Sequence, residues 1–484
     1  MTDAAPTAPT RARLRSLVPS ALAAAALLFA AAAGQAQSPA EGGGPASHAS
    51  DAIVPERQQV TAFVGVDVIP MDRERVLEDH TVVVRDGRID RVGPADEVEV
   101  PDGARVAAEG GYLMPGLAEM HAHIPPEGGR EWMERVLFLY LANGVTTARG
   151  MLGQPEHLDL QADVAAGEVL GPRIYTSGPS INGNSIPNAD SARRAVRHQA
   201  EAGYDFLKIH PGLTSAEYEA LVEEARKAGM EWAGHVSLDV GLRRALETGY
   251  ATIDHLDRYV EALVPNPDEL SGEEVGFFGF GVVERADPSK LEELARATAE
   301  AGVWSVPTQS LIERVLAPES PEEMADAPGV RYMPDEMVES WKEAKAEFDQ
   351  NPDNTPERRE RFIQLRRDVI RALHEAGAPL LLGSDAPQVF QVPGFSLHDE
   401  LELMVASGLT PYEALVTGTR NVAEFFGDED EYGTVEAGKA ADLVLLAANP
   451  LEDVSASSEV RGVMARGTWM SAEEIERRLE EGVE

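Results

Sequence analysis

The ten residues Pro115-Gly116-Leu117-Ala118-Glu119-Met120-His121-Ala122-His123-Ile124 decide how this chain is read. The run Gly116–His121 has the texture of a strand. Residues i and i+2 of a strand point the same way, so His121 and His123 aim two imidazoles to one side at its end, an arrangement that suits a divalent metal. Seven further short apolar runs share this texture: Val145–Arg149, Arg173–Ser177, Asp205–His210, Glu231–His235, Thr252–His255, Val303–Pro307 and Pro379–Ser384. Helical stretches separate them. One is Ala216–Lys227, introduced by the capping-box pattern Thr214-Ser215-Ala216-Glu217; Leu238–Thr248 and Leu291–Ala301 are others. Strands alternating with helices predict an α/β fold, a (β/α)8 TIM-type barrel. The rival on periodicity alone is a doubly wound sheet, but no strand here leads into a glycine-rich phosphate loop.

Outward from this core the pattern changes on both sides. Val60–Val68, Thr81–Arg85 and Arg88–Val92 read as strands, with Asp86-Gly87 as a hairpin turn. Strand texture returns after Phe426, in 432–446 and in a closing hairpin over Val460–Met470. The expected organisation is a barrel over 117–428 and a small discontinuous β-sandwich domain built from 57–116 and 429–470. Residues 471–484 form an acidic helical tail. The charged stretch Leu311–His374, between strands seven and eight, reads either as a solvated helical hairpin or as a lid. At the N-terminus, Arg11, Arg13 and Arg15 precede the apolar run Leu17–Ala33 and the small residues around Ala36, the pattern of a signal peptide over 1–36. A flexible lead-in over 37–56 follows. The expected destination is outside the cytoplasm, periplasmic or extracellular.

Composition narrows the function. The chain has 484 residues and no cysteine, which excludes disulfides, iron–sulfur clusters and a thiol nucleophile. A net charge of −41 makes duplex nucleic acid an unfavourable partner. The hydrophobic share of 43% is that of a folded protein.

In a barrel the active face lies at the C-terminal strand ends. His121, His123, Lys208, His235, His255 and Asp385 all stand at such ends and are the candidate metal ligands. A charged Lys208 in the apolar run Phe206-Leu207-Lys208-Ile209 carries a desolvation cost. It reads either as a neutral amine that takes up carbon dioxide, giving a carbamate able to bridge two metals, or as the partner of a nearby carboxylate. Four residues are candidate substrate contacts: His210, two beyond Lys208; Arg149, to pair a substrate carboxylate; Tyr259; and Gln309. His398 is expected to orient its loop, and Ile181–Asn188 to form a mobile lip beyond strand three.

Pro115-Gly116-Leu117, His121-x-His123, the single histidines after strands five and six and the strand-eight aspartate together resemble the amidohydrolase superfamily. So do Leu409-Thr410-Pro411-x-Glu413-Ala414-Leu415, Thr419-x-Asn421 and Gly433-Thr434-Val435-Glu436-x-Gly438-Lys439-x-Ala441-Asp442-Leu443-Val444. The likeness spans roughly 57–470 and is nearest to the branch of Xaa-Pro dipeptidases and imidazolonepropionase-like proteins. It implies two divalent ions, zinc by expectation. His121, His123 and Asp385 would hold one, His235 and His255 the other, and a carbamate on Lys208 would bridge them. It also implies attack by a metal-bridged hydroxide, with Asp385 as general base and catalytic residue. The expected activity is hydrolysis of an amide or peptide-like C–N bond in a small molecule, a dipeptide or N-acyl amino acid. Ring opening of a cyclic amide, imidazolone or lactone, or deamination, on one metal is the alternative within enzymes. Outside enzymes it is a silent barrel that binds a ligand. Barrels of this type often associate, so a homo-oligomer is a possible state. When the full chain is made in an exporting bacterial host, mass spectrometry of the secreted product should find Gln37 as the first residue.

Overall fold

The computed structural model describes residues 60–482. The signal peptide and lead-in read from the sequence lie outside the described residues.

Eight strands from the two ends of this range form one sheet. They are β1 (Val60–Val68), β2 (Leu77–Arg85), β3 (Arg88–Pro94), β4 (Arg105–Glu109) and β5 (Tyr112–Pro115) from the front. Seven parallel-sheet strands follow in the chain: β6 (Leu117–Ala122), β7 (Val145–Gly150), β8 (Arg173–Thr176), β9 (Phe206–Ile209), β10 (Glu231–Gly234), β11 (Thr252–Asp254) and β12 (Trp304–Val306). The rear supplies β13 (Leu443–Leu446), β14 (Val460–Ala465) and β15 (Thr468–Ser471). The terminal sheet runs β15-β14-β13-β5-β1-β2-β3, with β4 beside β1. Its two halves join through antiparallel β5 and β13, Pro115 opposite Leu443 and Tyr112 opposite Leu446.

This sheet curls strongly. Phe63 on β1 and Trp469 on β15 stand four strands apart, about 19 Å in a flat sheet at about 4.8 Å per strand. Their rings nonetheless meet edge to face with centroids 5.0 Å apart. The far edge bends round as well: Ile89 and Ala441 donate backbone bonds to Lys439 and Gly87. The two hairpin turns touch so closely that a Cβ on Gly467 would lie 2.5 Å from Gly87 Cα. Phe63, Val82, Ile89, Leu443, Met464 and Trp469 enclose one buried core between the curled halves.

The parallel strands β6-β7-β8 and β9-β10-β11-β12 are two sheets by strand pairing. Backbone bonds continue between them. Asp205 N–H donates to Thr176 O at 3.0 Å, and Ser177 bridges Phe206. On the other side Leu380 bridges Ser305, and Met120 N–H donates to Leu382 O at 2.9 Å. The eighth expected strand, Pro379–Ser384, is thus an extended segment with a single bridge. Its ladder stops because Leu382 N–H turns to Thr417 O and Ser384 N–H to the Glu119 carboxylate.

The helices follow their local signals. Ser215–Ala228 is capped reciprocally by Thr214 and Glu217 and ends on left-handed Gly229. The helix expected at Leu238 starts at Gly241, because Val240 and Gly241 N–H first close a turn onto Ser237 O. The stretch Leu311–His374 is not a solvated hairpin. It carries the helices Gln309–Leu316, Pro321–Ala325, Asp335–Asp349 and Pro356–Glu375. The last buries Phe362, Leu365, Arg366, Val369, Ile370 and Leu373, and Val369, Ile370 and Leu373 belong to the main core. A helix covers Ala472–Glu481.

Replacing Phe63 by Ala should cost about 3–5 kcal/mol, read as a fall in the urea midpoint. Hydrogen exchange should rise in β1 and in β14–β15 together, because the ring ties both ends of the chain.

Candidate metal and active site

The strand ends bring the six candidate ligands together. His121 is the penultimate residue of β6, and His123 lies one past its end. Lys208 lies within β9, and His235 and His255 each stand one residue past β10 and β11. The rings of His121 and His255 lie 4.5 Å apart, and those of His235 and His255 4.4 Å apart. Asp385 Oδ1 is 2.6 Å from His123 Nε2 and 3.5 Å from His121 Nε2, while Oδ2 is 3.5 Å from His255 Nδ1. Lys208 Nζ sits 3.3 Å from His121 Nε2. His121, His255 and Asp385 offer three ligand atoms within 4.8 Å of one another.

These residues fit a divalent ion. His255 Nε2 is buried without a hydrogen-bond partner, an arrangement costly for a polar atom unless something else occupies it. Burial, reinforced by neighbouring cationic groups, holds His121 and His255 well below the ordinary imidazole range. Both imidazoles are therefore neutral and keep a lone pair for a metal.

Lys208 is fully buried, and its second neighbour is a carboxylate: Asp254 Oδ2 lies 3.4 Å from Nζ. Burial lowers the lysine pKa; Asp254 and Asp385 oppose the shift without cancelling it. Gly234, at φ +109, makes room here, since a Cβ would come within 2.6 Å of Lys208 Cδ. Asp254 also approaches His121 Nδ1 at 3.1 Å and accepts from Thr252 Oγ1 at 2.7 Å.

Several positioning groups were not singled out from the sequence. Asp257 Oδ2 lies 3.0 Å from His235 Nδ1 and accepts from Val236 N–H, fixing the ring so that Nε2 faces away from it. Burial would raise Asp257, but His235, Arg258 and the Val236 N–H hold it below the usual range. The Glu119 carboxylate accepts from His121 N–H, Ser384 N–H and Ser384 Oγ; burial still pushes it up to about 8. Arg366 donates to the carbonyls of His255 and Pro307 at 2.8 and 3.1 Å. It thereby pins His255, whose φ of 61° is a strained left-handed conformation. Asp254, Asp257 and Glu119 had a readable signal, a carboxylate within or just beyond an apolar strand. Arg366 had none, because its partners lie far away in sequence.

The four candidate substrate contacts divide. His210 stands beside His235, ring centroids 5.2 Å apart, with Nδ1 2.9 Å from Ser180 Oγ. The other three are turned away. Arg149 is buried between Phe206 and Phe425 and donates to Thr252, the first residue of β11, so its guanidinium lies toward the opposite strand ends. Tyr259 is buried with its hydroxyl 2.8 Å from Thr298, on the helix behind the strands. Gln309 is consumed by Glu313 and Arg366. His398 bonds Ser457 Oγ and Asn143 O in a helix. Ile181, the first residue of the segment expected as a lip, is stitched to β9: its N–H donates to Lys208 O, and its carbonyl accepts from His210 N–H.

Residues 112–470 match the model of the amidohydrolase family. The chain belongs to the amidohydrolase family. Ochratoxinase of Aspergillus niger is 22% identical over 479 residues, covering 84% of this chain and 85% of that protein. Imidazolonepropionase of Geobacillus kaustophilus (strain HTA426) is 22% identical over 435 residues, covering 81% and 91%. Among solved structures, a Xaa-Pro dipeptidase with methionine bound in its active site superposes with a TM-score of 0.63 at 20% identity, covering 85% of this chain and all of that one. The proteins this amidohydrolase resembles thus include an imidazolonepropionase and a Xaa-Pro dipeptidase, the two kinds its motifs pointed to.

Asp257→Ala removes the partner of His235 Nδ1. Metal affinity should fall about 10- to 100-fold, measured by competition with a chelator, while circular dichroism stays unchanged.

Proposed function

We propose that this chain is an exported, metal-dependent amidohydrolase that cleaves an amide or peptide-like bond in a small molecule, a dipeptide or N-acyl amino acid. The carrying observation is that His121, His255 and Asp385 place three ligand atoms within 4.8 Å of one another, with His123, Lys208 and His235 beside them and a buried His255 nitrogen left unpaired. The same reading takes the two parallel sheets and the 379–385 segment as one closed (β/α)8 barrel. The continuous backbone bonds between them support it. The curl that brings Trp469 onto Phe63 supports a small sandwich made from the terminal sheet.

His121, His123 and Asp385 would hold one ion, His235 and His255 a second, with zinc the expected metal. Lys208 would join the two sites as a carbamate; its amine forms one N–C bond to carbon dioxide and loses one proton. Bound metal supplies an acidified water and a polarised carbonyl. The chain supplies the proton path: Asp385 takes the proton of the attacking water on a carboxylate oxygen and returns it to the leaving nitrogen. His123 Nε2 lies 2.6 Å from that carboxylate, which places the two groups side by side as partners for one ion. His210, fixed by Ser180, offers its Nε2 edge to a polar group of the substrate.

A second reading rests on the Lys208–Asp254 contact. A lysine kept as an ammonium would leave a single ion on His121, His255 and Asp385, which suits ring opening or deamination.

Metal analysis of protein refolded with divalent metal and bicarbonate separates the readings. About two ions per chain, falling on Lys208→Ala, supports the carbamate-bridged site; about one, indifferent to Lys208, supports the second reading. No bound metal overturns both. Asp385→Asn should lower kcat on the best amide at least about 100-fold. Survival of turnover with metal still bound would exclude the proton role of Asp385.

A further inference from the structure

The chain between β11 and the helix Leu291–Ala301 carries an aromatic ring to the edge of the site. At its turn, Phe278 holds φ 46° and ψ 34°, and Gly279 φ 90° and ψ 2°. A bulky side chain adopts the left-handed region only when its surroundings enforce it, and such residues cluster at functional sites. The enforcement is visible on both sides. A Cβ on Gly279 would lie 2.8 Å from Val260 Cβ, so glycine alone fits that close approach. Phe277 packs edge-on against Phe278 and against Phe348, while Phe280 packs against Phe348 and Phe362.

Of these five phenylalanines, Phe278 is the one that keeps part of its surface exposed. Its ring centroid lies 5.2 Å from that of His255 and 6.1 Å from that of His235. The same apolar cluster takes in Leu238, three residues beyond His235, and Val389, four beyond Asp385, both also part-exposed. His210 stands near His235 as well. The site therefore combines an imidazole able to bond a polar group with an apolar ring held rigidly in place.

We propose that Phe278 is a specificity-determining contact: its ring forms an apolar wall of the substrate pocket and selects substrates with an aromatic or branched aliphatic group beside the scissile amide. The assignment rests on the amide-hydrolase reading of the same site. An immobilised ring gives up little rotamer freedom on binding, so the apolar area it covers is gained almost undiminished. Burying its remaining face should be worth about tenfold in affinity.

The test uses the metal-loaded protein and two ketomethylene dipeptide analogues, in which CH2 replaces the scissile NH. One carries a benzyl group beside the ketone, the other a hydrogen. Calorimetry should show the benzyl ligand binding at least about tenfold tighter. Phe278→Ala should shrink that margin to under about threefold, at unchanged metal content and with unchanged affinity for the small ligand. Phe278→Leu, which keeps apolar bulk, guards against a folding defect and should give an intermediate margin. A margin absent from the wild type, or untouched by both variants, overturns the proposal. Turnover of the matching amides by the wild type is scored separately. Hydrolysis without the margin would remove Phe278 from the pocket. The margin without hydrolysis would keep the pocket assignment and remove the reaction.

Discussion

A buried carboxylate holds the site's geometry. Glu119 takes one backbone N–H from His121, on the first parallel strand, and another from Ser384, next to Asp385 on the last extended segment, along with the Ser384 hydroxyl. A carboxylate can satisfy several donors at once, where a backbone carbonyl offers a narrower geometry. The group therefore stands where the ladder of the eighth segment fails, and sets the spacing between His121 and Asp385. Its burial is costly, as its high pKa shows. That cost is tolerable because each lone-pair direction in use is matched by a donor.

Around this joint the other candidate ligands are positioned in a similar way, by groups outside their own strands. Asp257 orients His235, Asp254 stands between Lys208 and His121, and Thr308 Oγ1 lies 2.9 Å from His255 Nδ1. Arg366 comes from the helix Pro356–Glu375 and grips the carbonyl of His255. The inserted segment thus acts as a buttress through its last helix, and its aromatic residues Phe348 and Phe362 also support the turn that carries Phe278. One insertion thus supports both His255 and the turn that carries Phe278.

The terminal sheet does a separate task. Pairing β5 with β13 places Gly116 directly under the start of β6, where Gly116 N–H donates to Asp442 O at 2.9 Å. The entry to the first parallel strand is thereby fixed by residues more than three hundred positions later. Gly116 itself has no room for a Cβ, which would meet Thr146 at 2.3 Å.

Local patterns made much of this legible before any coordinates. The strand pair of histidines, the single histidines and lysine at later strand ends and the Thr214 capping box follow from periodicities of two and from short-range hydrogen bonding, which a sequence displays directly. The carboxylates Asp254, Asp257 and Glu119 were legible in kind but not in role. Arg149, Tyr259 and Gln309 show the opposite error: a position near a strand end does not say which way a long side chain turns once its neighbours are packed. What tertiary structure alone decided is everything that depends on partners distant in sequence. That includes the grip of Arg366 on His255, the left-handed turn at Phe278 and the curl that seats Trp469 on Phe63. These contacts carry no local periodicity. They exist because packing brings remote groups into reach and leaves them no better partner.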